Sequence, residues 1–123
     1  MIEAYSLNQT VAANAAIPFN NVSVKKGCTA ELNGVSTIEL NKAGVYMITF
    51  DGTAAASTLV QLYKDSVAQP QAQSTGTSVS FSTLVQVPES NTCCCNTSPT
   101  TLRVVNGTAT SFVNANICVT KIC

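Results

Sequence analysis

The run Val45–Asp51, Val-Tyr-Met-Ile-Thr-Phe-Asp, constrains the fold more than any other part of the chain. It combines β-branched and aromatic residues, which fit a pleated surface, and it follows the turn-forming Lys42-Ala43-Gly44. Side chains alternate along a strand. Tyr46, Ile48 and Phe50 therefore share one face, and Val45, Met47 and Thr49 share the other. Both faces are largely apolar, whereas a strand in an antiparallel sandwich ordinarily keeps one face wet. The second face is expected to meet a partner subunit, with a covering loop of the same chain as the alternative.

Other strand signals recur at the spacing of a sandwich. Ser6–Ala12 is a candidate first strand, and Ile17–Val24 holds short edge segments broken by Pro18. Thr37–Leu40 alternates Ile38 and Leu40 inward against Thr37 and Glu39 outward. Thr58–Tyr63, Thr101–Val105 and Ile117–Ile122 read as strands, as does the longer Thr77–Val87 with Val79, Phe81, Val85 and Val87 on one face. Turns are expected at Asn33-Gly34, Asp51-Gly52, Lys64-Asp65-Ser66 and Asn106-Gly107, and an exposed loop at Ala68–Gly76. The alanine runs Ala12–Ala16 and Ala54–Ala56 are too short to stand as helices and predict close sheet or subunit packing. With 123 residues and no repeat or linker, residues 1–123 are expected to form one domain.

Composition removes most catalytic chemistry. The chain has no histidine, so a Ser/His/acid or Cys/His relay cannot be built. Its six acids, Glu3, Glu31, Glu39, Asp51, Asp65 and Glu89, form no hydrolase pair or calcium-loop motif. The scattered glycines form no phosphate-cradling pattern. An enzyme is not expected, and neither is a catalytic residue, a bound metal or a cofactor. Six basic residues balance six acidic ones, and Lys25-Lys26 is the sole adjacent basic pair, which argues against nucleic acid as a partner. The apolar runs are too short for membrane insertion, and Met1-Ile2-Glu3 places an acid where a signal peptide would carry a basic region. Charged residues make up only 10% of the chain, against roughly 25% in an ordinary soluble domain. A surface of Ser, Thr, Asn and Gln, together with burial against other copies, is the expected remedy.

The cysteines are the remaining group with chemistry. Cys93, Cys94 and Cys95 are consecutive, and Cys28, Cys118 and Cys123 are possible mates elsewhere. In an extended segment Cys93 and Cys95 point one way and Cys94 the other. Adjacent cysteines rarely bond to each other in relaxed geometry, and six allow fifteen complete pairings. Structural disulfides within or between chains come first, reduced buried thiols second, and a thiolate metal site last. The Cys-x₂-Cys spacing of a zinc site is missing.

The segment Thr37–Phe50, with Ala43-Gly44-Val45-Tyr46 between two apolar strands, resembles the signature of C1q/TNF-like jelly rolls. Val60–Asp65 is similar to that family's next strand and turn, Ser80–Val87 to the long strand after its variable loop, and Leu102–Asn106 and Ile117–Ile122 to its closing strands. The resemblance implies an all-β antiparallel β-sandwich with jelly-roll topology, in which about ten strands form two sheets and three protomers pack about a threefold axis. The sheet bearing Val45–Asp51, Thr101–Val105 and Ile117–Ile122 would face that axis. Val45, Met47, Thr49, Leu102, Val104, Ile117 and Val119 are the resulting interface candidates.

Microbial proteins of this kind occur in phage virions, as fibre, receptor-binding or capsid-decorating modules, and as trimeric heads of bacterial spore-surface filaments. The sequence holds no collagen-like Gly-X-Y stalk, which leaves a virion component as the expectation and a spore or cell surface as the alternative. The cysteine cluster is not part of the family pattern. The expected protein is a homotrimer on a virion surface, in contact with other virion or surface proteins and with a host-surface receptor or glycan. Pro70–Gly76 and Ser90–Pro99 are the first loops to consider for such contact. A soluble carbohydrate-binding module is the main rival. It needs an aromatic platform or a metal-anchored pocket, and only Tyr5, Tyr46, Tyr63 and four phenylalanines are available, several of which read as core.

Overall fold

The computed structural model describes residues 1–27, 29–88 and 100–123. Nine strands lie among them: β1 (Ile2–Val11), β2 (Ala15–Ala16), β3 (Asn21–Lys25), β4 (Ala30–Asn33), β5 (Thr37–Leu40), β6 (Gly44–Lys64), β7 (Val67–Val87), β8 (Thr100–Asn106) and β9 (Thr110–Lys121). Every pairing is antiparallel, and the hydrogen-bonded order is β3-β1-β9-β6-β8-β5-β4, with β7 on β6 and β2 on β8.

The long β6 serves two layers. Its first half, Tyr46–Ala54, pairs with β9, and its second half, Val60–Lys64, pairs with β8. Between them the β6–β7 register shifts across Thr53 and Thr58, and Ala55, Ala56 and Ser57 are exposed where the strand bends. One layer is thus β3-β1-β9 with the first half of β6 and the second half of β7. The other is β4-β5-β8 with the remaining halves. Small residues at the bend let the chain pass from one layer to the other. Of the run Ala54–Ala56, expected to pack closely, only Ala54 does so, buried opposite Phe112, while Ala55 and Ala56 face solvent.

The core between the layers follows from alternation. Tyr46, Ile48 and Phe50 are fully buried, with Leu62, Leu102, Val104, Ile117 and Val119. Phe50 lies at its centre, edge-on to Phe19 at 6.3 Å and stacked on Phe81 at 5.3 Å between ring centroids. The Tyr46 hydroxyl, the polar end of a buried ring, donates to the Lys42 carbonyl at 2.7 Å.

One polar cluster is buried with the apolar core. Asn106 has no exposed surface, and its Nδ2 donates to the carbonyls of Thr108 at 2.7 Å, Val11 at 3.2 Å and Ala12 at 3.4 Å. Its Oδ1 accepts from the Thr58 hydroxyl, which in turn accepts from the Thr108 amide at 3.1 Å. The cluster ties the end of β1, the bend of β6 and the β8–β9 turn into one knot. The expected turn starts at Gly107, whereas Asn106 is the last residue of β8 and a buried clasp.

Two sequence expectations need correction. Asp51-Gly52 is no turn; it lies inside β6, paired with Asn116 and Ala115 on one side and Ser80 and Val79 on the other. Gly52 is buried there, and a Cβ would stand 3.0 Å from the Asn114 carbonyl oxygen, so the glycine serves close backbone approach. Nor is Ala68–Gly76 a loop. It forms the first part of β7, matched from Tyr63↔Ala68 to Thr58↔Gly76. Pro70 is tolerated because this edge strand is irregular there, its register shifting opposite Gln61 and Tyr63. The turn at Lys64-Asp65-Ser66 is present, with Asp65 and Ser66 at φ of 49° and 67°, both left-handed as a two-residue hairpin demands.

Candidate assembly surface

The outward face of the β3-β1-β9-β6-β7 layer is built by the strand phase that buries Tyr46, Ile48 and Phe50. Residues directly opposed in register share a face, so its rows can be read from the pairing. One row runs Leu84, Met47, Thr120, and the next Ser82, Thr49, Cys118, Glu3, Val24. Below them lie Ser80, Asp51, Asn116, Tyr5, Asn21, and then Ser78, Thr53, Asn114, Leu7. Thr49, Cys118 and Thr120 make a small, uncharged centre. Around it stand apolar side chains that remain accessible: Leu7 and Leu84 each 55% and Met47 43% exposed. Asp51 and Glu3 carry the face's formal charge, and Glu3 Oε1 accepts from the Ser23 hydroxyl at 2.7 Å.

Of the seven interface candidates, Val45, Met47 and Thr49 stand on this outward face. The other four do not. Leu102, Val104, Ile117 and Val119 are at most 1% exposed and belong to the core. Ile117 and Val119 oppose Phe50 and Ile48 across β9, so they share the inward phase. Leu102 and Val104 oppose Lys64 and Leu62 across β8, which lies in the other layer altogether. Thr101–Val105 therefore does not share a layer with Val45–Asp51. The residues that do complete the face are Tyr5, Leu7, Leu84, Asn116, Cys118 and Thr120. Their signal was the same alternation, begun one residue earlier or later.

Cys118 and Cys123 are free thiols. Cys118 sits half-buried in this outward face with its Sγ 3.9 Å from Thr120 Oγ1, whereas Cys123 is exposed beyond β9. Cys28, Cys93, Cys94 and Cys95 lie outside the described residues, as does Ser90–Pro99. Among the described residues no group of three or more His, Cys, Asp or Glu side chains comes together as a metal site, and no helix is long and apolar enough to cross a membrane.

No protein-family model and no curated protein sequence matches the chain. Solved structures do. The globular domain of zebrafish complement 1qA protein superposes with a TM-score of 0.74 at 10% identity, covering 99% of this chain and 96% of that one. PRD1 vertex protein P5 gives 0.69 at 15% identity over 99% and 96% of the two chains, and rabbit GITRL 0.64 at 9% over 100% and 95%. Similarity this low in sequence and this complete in structure speaks to architecture. The chain has an all-β antiparallel jelly-roll fold of the C1q/TNF-like kind.

Proposed function

We propose that this chain is a non-enzymatic structural protein that assembles as a homotrimer through the outward face of the β3-β1-β9-β6-β7 layer and decorates a phage capsid or forms a fibre tip. The observation that carries the reading is that face, where Leu7, Met47 and Leu84 leave about half of each side chain accessible around an uncharged centre. Fully burying such a side chain contributes roughly 1.5–3 kcal/mol, so covering the open half of Leu84 adds about 1 kcal/mol per protomer. Over Leu7, Met47 and Leu84 this comes to about 3 kcal/mol per protomer, set against the entropy cost of association. Residues 1–123 act in it as one jelly-roll unit. The fold shared with PRD1 vertex protein P5 supports a place on a virion surface. Neighbouring virion proteins and a host-surface receptor or glycan are its partners in this reading.

Light scattering coupled to gel filtration, run with and without reductant, tests assembly. The expected mass is three times the 12.8 kDa protomer, and the paired change Met47→Asp with Leu84→Asp shifts it to the protomer. Loss of the trimer on reduction alone would assign it to interchain disulfides. A stable protomer at micromolar concentration from the unaltered chain refutes the reading. Mass spectrometry of purified particles tests the location.

A further inference from the structure

On the other layer, facing away from the assembly surface, is a small groove of about 90 Å³ lined by Asn14, Leu59, Gln61, Tyr63, Val105 and Gly107. Its position follows from strand phase: Val60 and Leu62 point into the core, so Leu59, Gln61 and Tyr63 project outward from β6 as one wall. Val105 opposes Gln61 across β8. Asn14, in the turn between β1 and β2, closes the far side with φ of 63° and donates its amide to the Asn106 carbonyl at 2.7 Å. Gly107 donates to the Leu59 carbonyl at 2.7 Å at one end. The buried Asn106 clasp therefore anchors both the Asn14 turn and the Gly107 end.

The chemistry of the lining is selective. It holds two apolar side chains, one phenol ring and two carboxamides, and no charged group. Among the described residues, the side-chain polar groups of Asn14, Gln61 and Tyr63 have no hydrogen-bond partner within the protein. Carboxamides both donate and accept, which suits vicinal hydroxyls that do the same. An aromatic ring beside aliphatic carbons suits the C–H face of a sugar. The lining itself carries no charge, and Arg103, opposite Tyr63 on the same face, donates its Nε to Thr37 Oγ1 at 2.9 Å. The volume is well below the roughly 300 Å³ of a site that encloses a drug-sized ligand, and fits one ring resting partly in solvent.

We propose that this groove binds one neutral pyranose residue of a glycan, with Tyr63 as the platform and Asn14 and Gln61 as the hydroxyl readers. The inference rests on the attachment part of the reading above and gives it a place. A single site of this size binds weakly, with a dissociation constant on the order of 1 mM. A trimer would present three such grooves away from its axis, so a multivalent surface gains avidity from them.

The test is titration of the ¹⁵N-labelled full chain with methyl glucoside, methyl galactoside, methyl mannoside and N-acetylglucosamine, read by amide chemical shifts. At least one sugar should shift the side-chain amides of Asn14 and Gln61 and the backbone amides of Val105 and Gly107 saturably. Tyr63→Ala and Gln61→Ala should each weaken that binding about tenfold or more, with an unchanged mass and amide spectrum elsewhere. Absence of saturable shifts at these groups for every sugar overturns the proposal, as does binding that both variants leave intact. Light scattering on the same samples separates the two readings. A protomer that still binds sugar sinks the trimer and keeps the groove, and a silent trimer does the reverse.

Discussion

Replacing Asn106 with alanine should cost about 3–5 kcal/mol, a loss in the upper range for a single substitution. The side chain makes three well-formed hydrogen bonds, to Thr108, Val11 and Thr58, and a longer one to Ala12 at 3.4 Å. Each typical bond contributes about 1 kcal/mol net, and each buried partner left unsatisfied adds roughly 1–3 kcal/mol. Thr58 is 2% exposed and Asn106 fully buried, so water does not readily replace what is removed. At roughly 3–5 °C per kcal/mol for a chain of this size, Tm should fall by about 10–20 °C. Calorimetry or circular dichroism at matched protomer concentration reads the change, because assembly makes Tm concentration-dependent. Thr58→Val removes one member of the knot and should cost about 1–2 kcal/mol. The double variant should then lose less than the two single losses together, since the two side chains share one network. A loss below about 1 kcal/mol for Asn106→Ala would refute the clasp as a principal constraint on the three segments it joins.

Burial pushes the Tyr46 phenol above its ordinary 10.0. The folded chain therefore holds that proton more tightly than the unfolded chain does. Its contribution is fully present below pH 10.0 and is lost as pH rises through the folded value. Tyr46→Phe should flatten the alkaline fall in urea-unfolding stability while costing about 1 kcal/mol at neutral pH for the lost bond to Lys42; an unchanged alkaline slope would contradict this. Gly44→Ala should be costly for two reasons. Gly44 has φ of 146°, and a Cβ would stand 2.5 Å from the Cys123 carbonyl oxygen and 2.6 Å from Lys121 Cε. A loss of about 1–3 kcal/mol is expected for the backbone conformation alone, and a variant as stable as the parent would show that the chain end shifts freely.

Alternation alone determined much of this protein. It fixed the inward set Tyr46, Ile48 and Phe50, the outward set Val45, Met47 and Thr49, and the shared face of Val79, Phe81, Val85 and Val87, because a period of two is a property of the strand itself. The hairpin at Asp65-Ser66 was legible for the same local reason. Tertiary structure decided what depends on a partner strand. Gly52 reads as a turn residue until β9 is seen against it, and Gln- and Pro-containing Ala68–Gly76 reads as loop until β6 supplies its hydrogen bonds. The phase of β9 and the layer of β8 are fixed by register, which no single strand encodes, so Ile117, Val119, Leu102 and Val104 moved from the expected interface into the core. The groove and the Asn106 knot join residues more than 40 positions apart in sequence, such as Thr58 and Asn106 with a separation of 48. Such sites exist only once the sheets have closed, since strand chemistry fixes which way a side chain points, while its neighbours are fixed by the packing of distant segments.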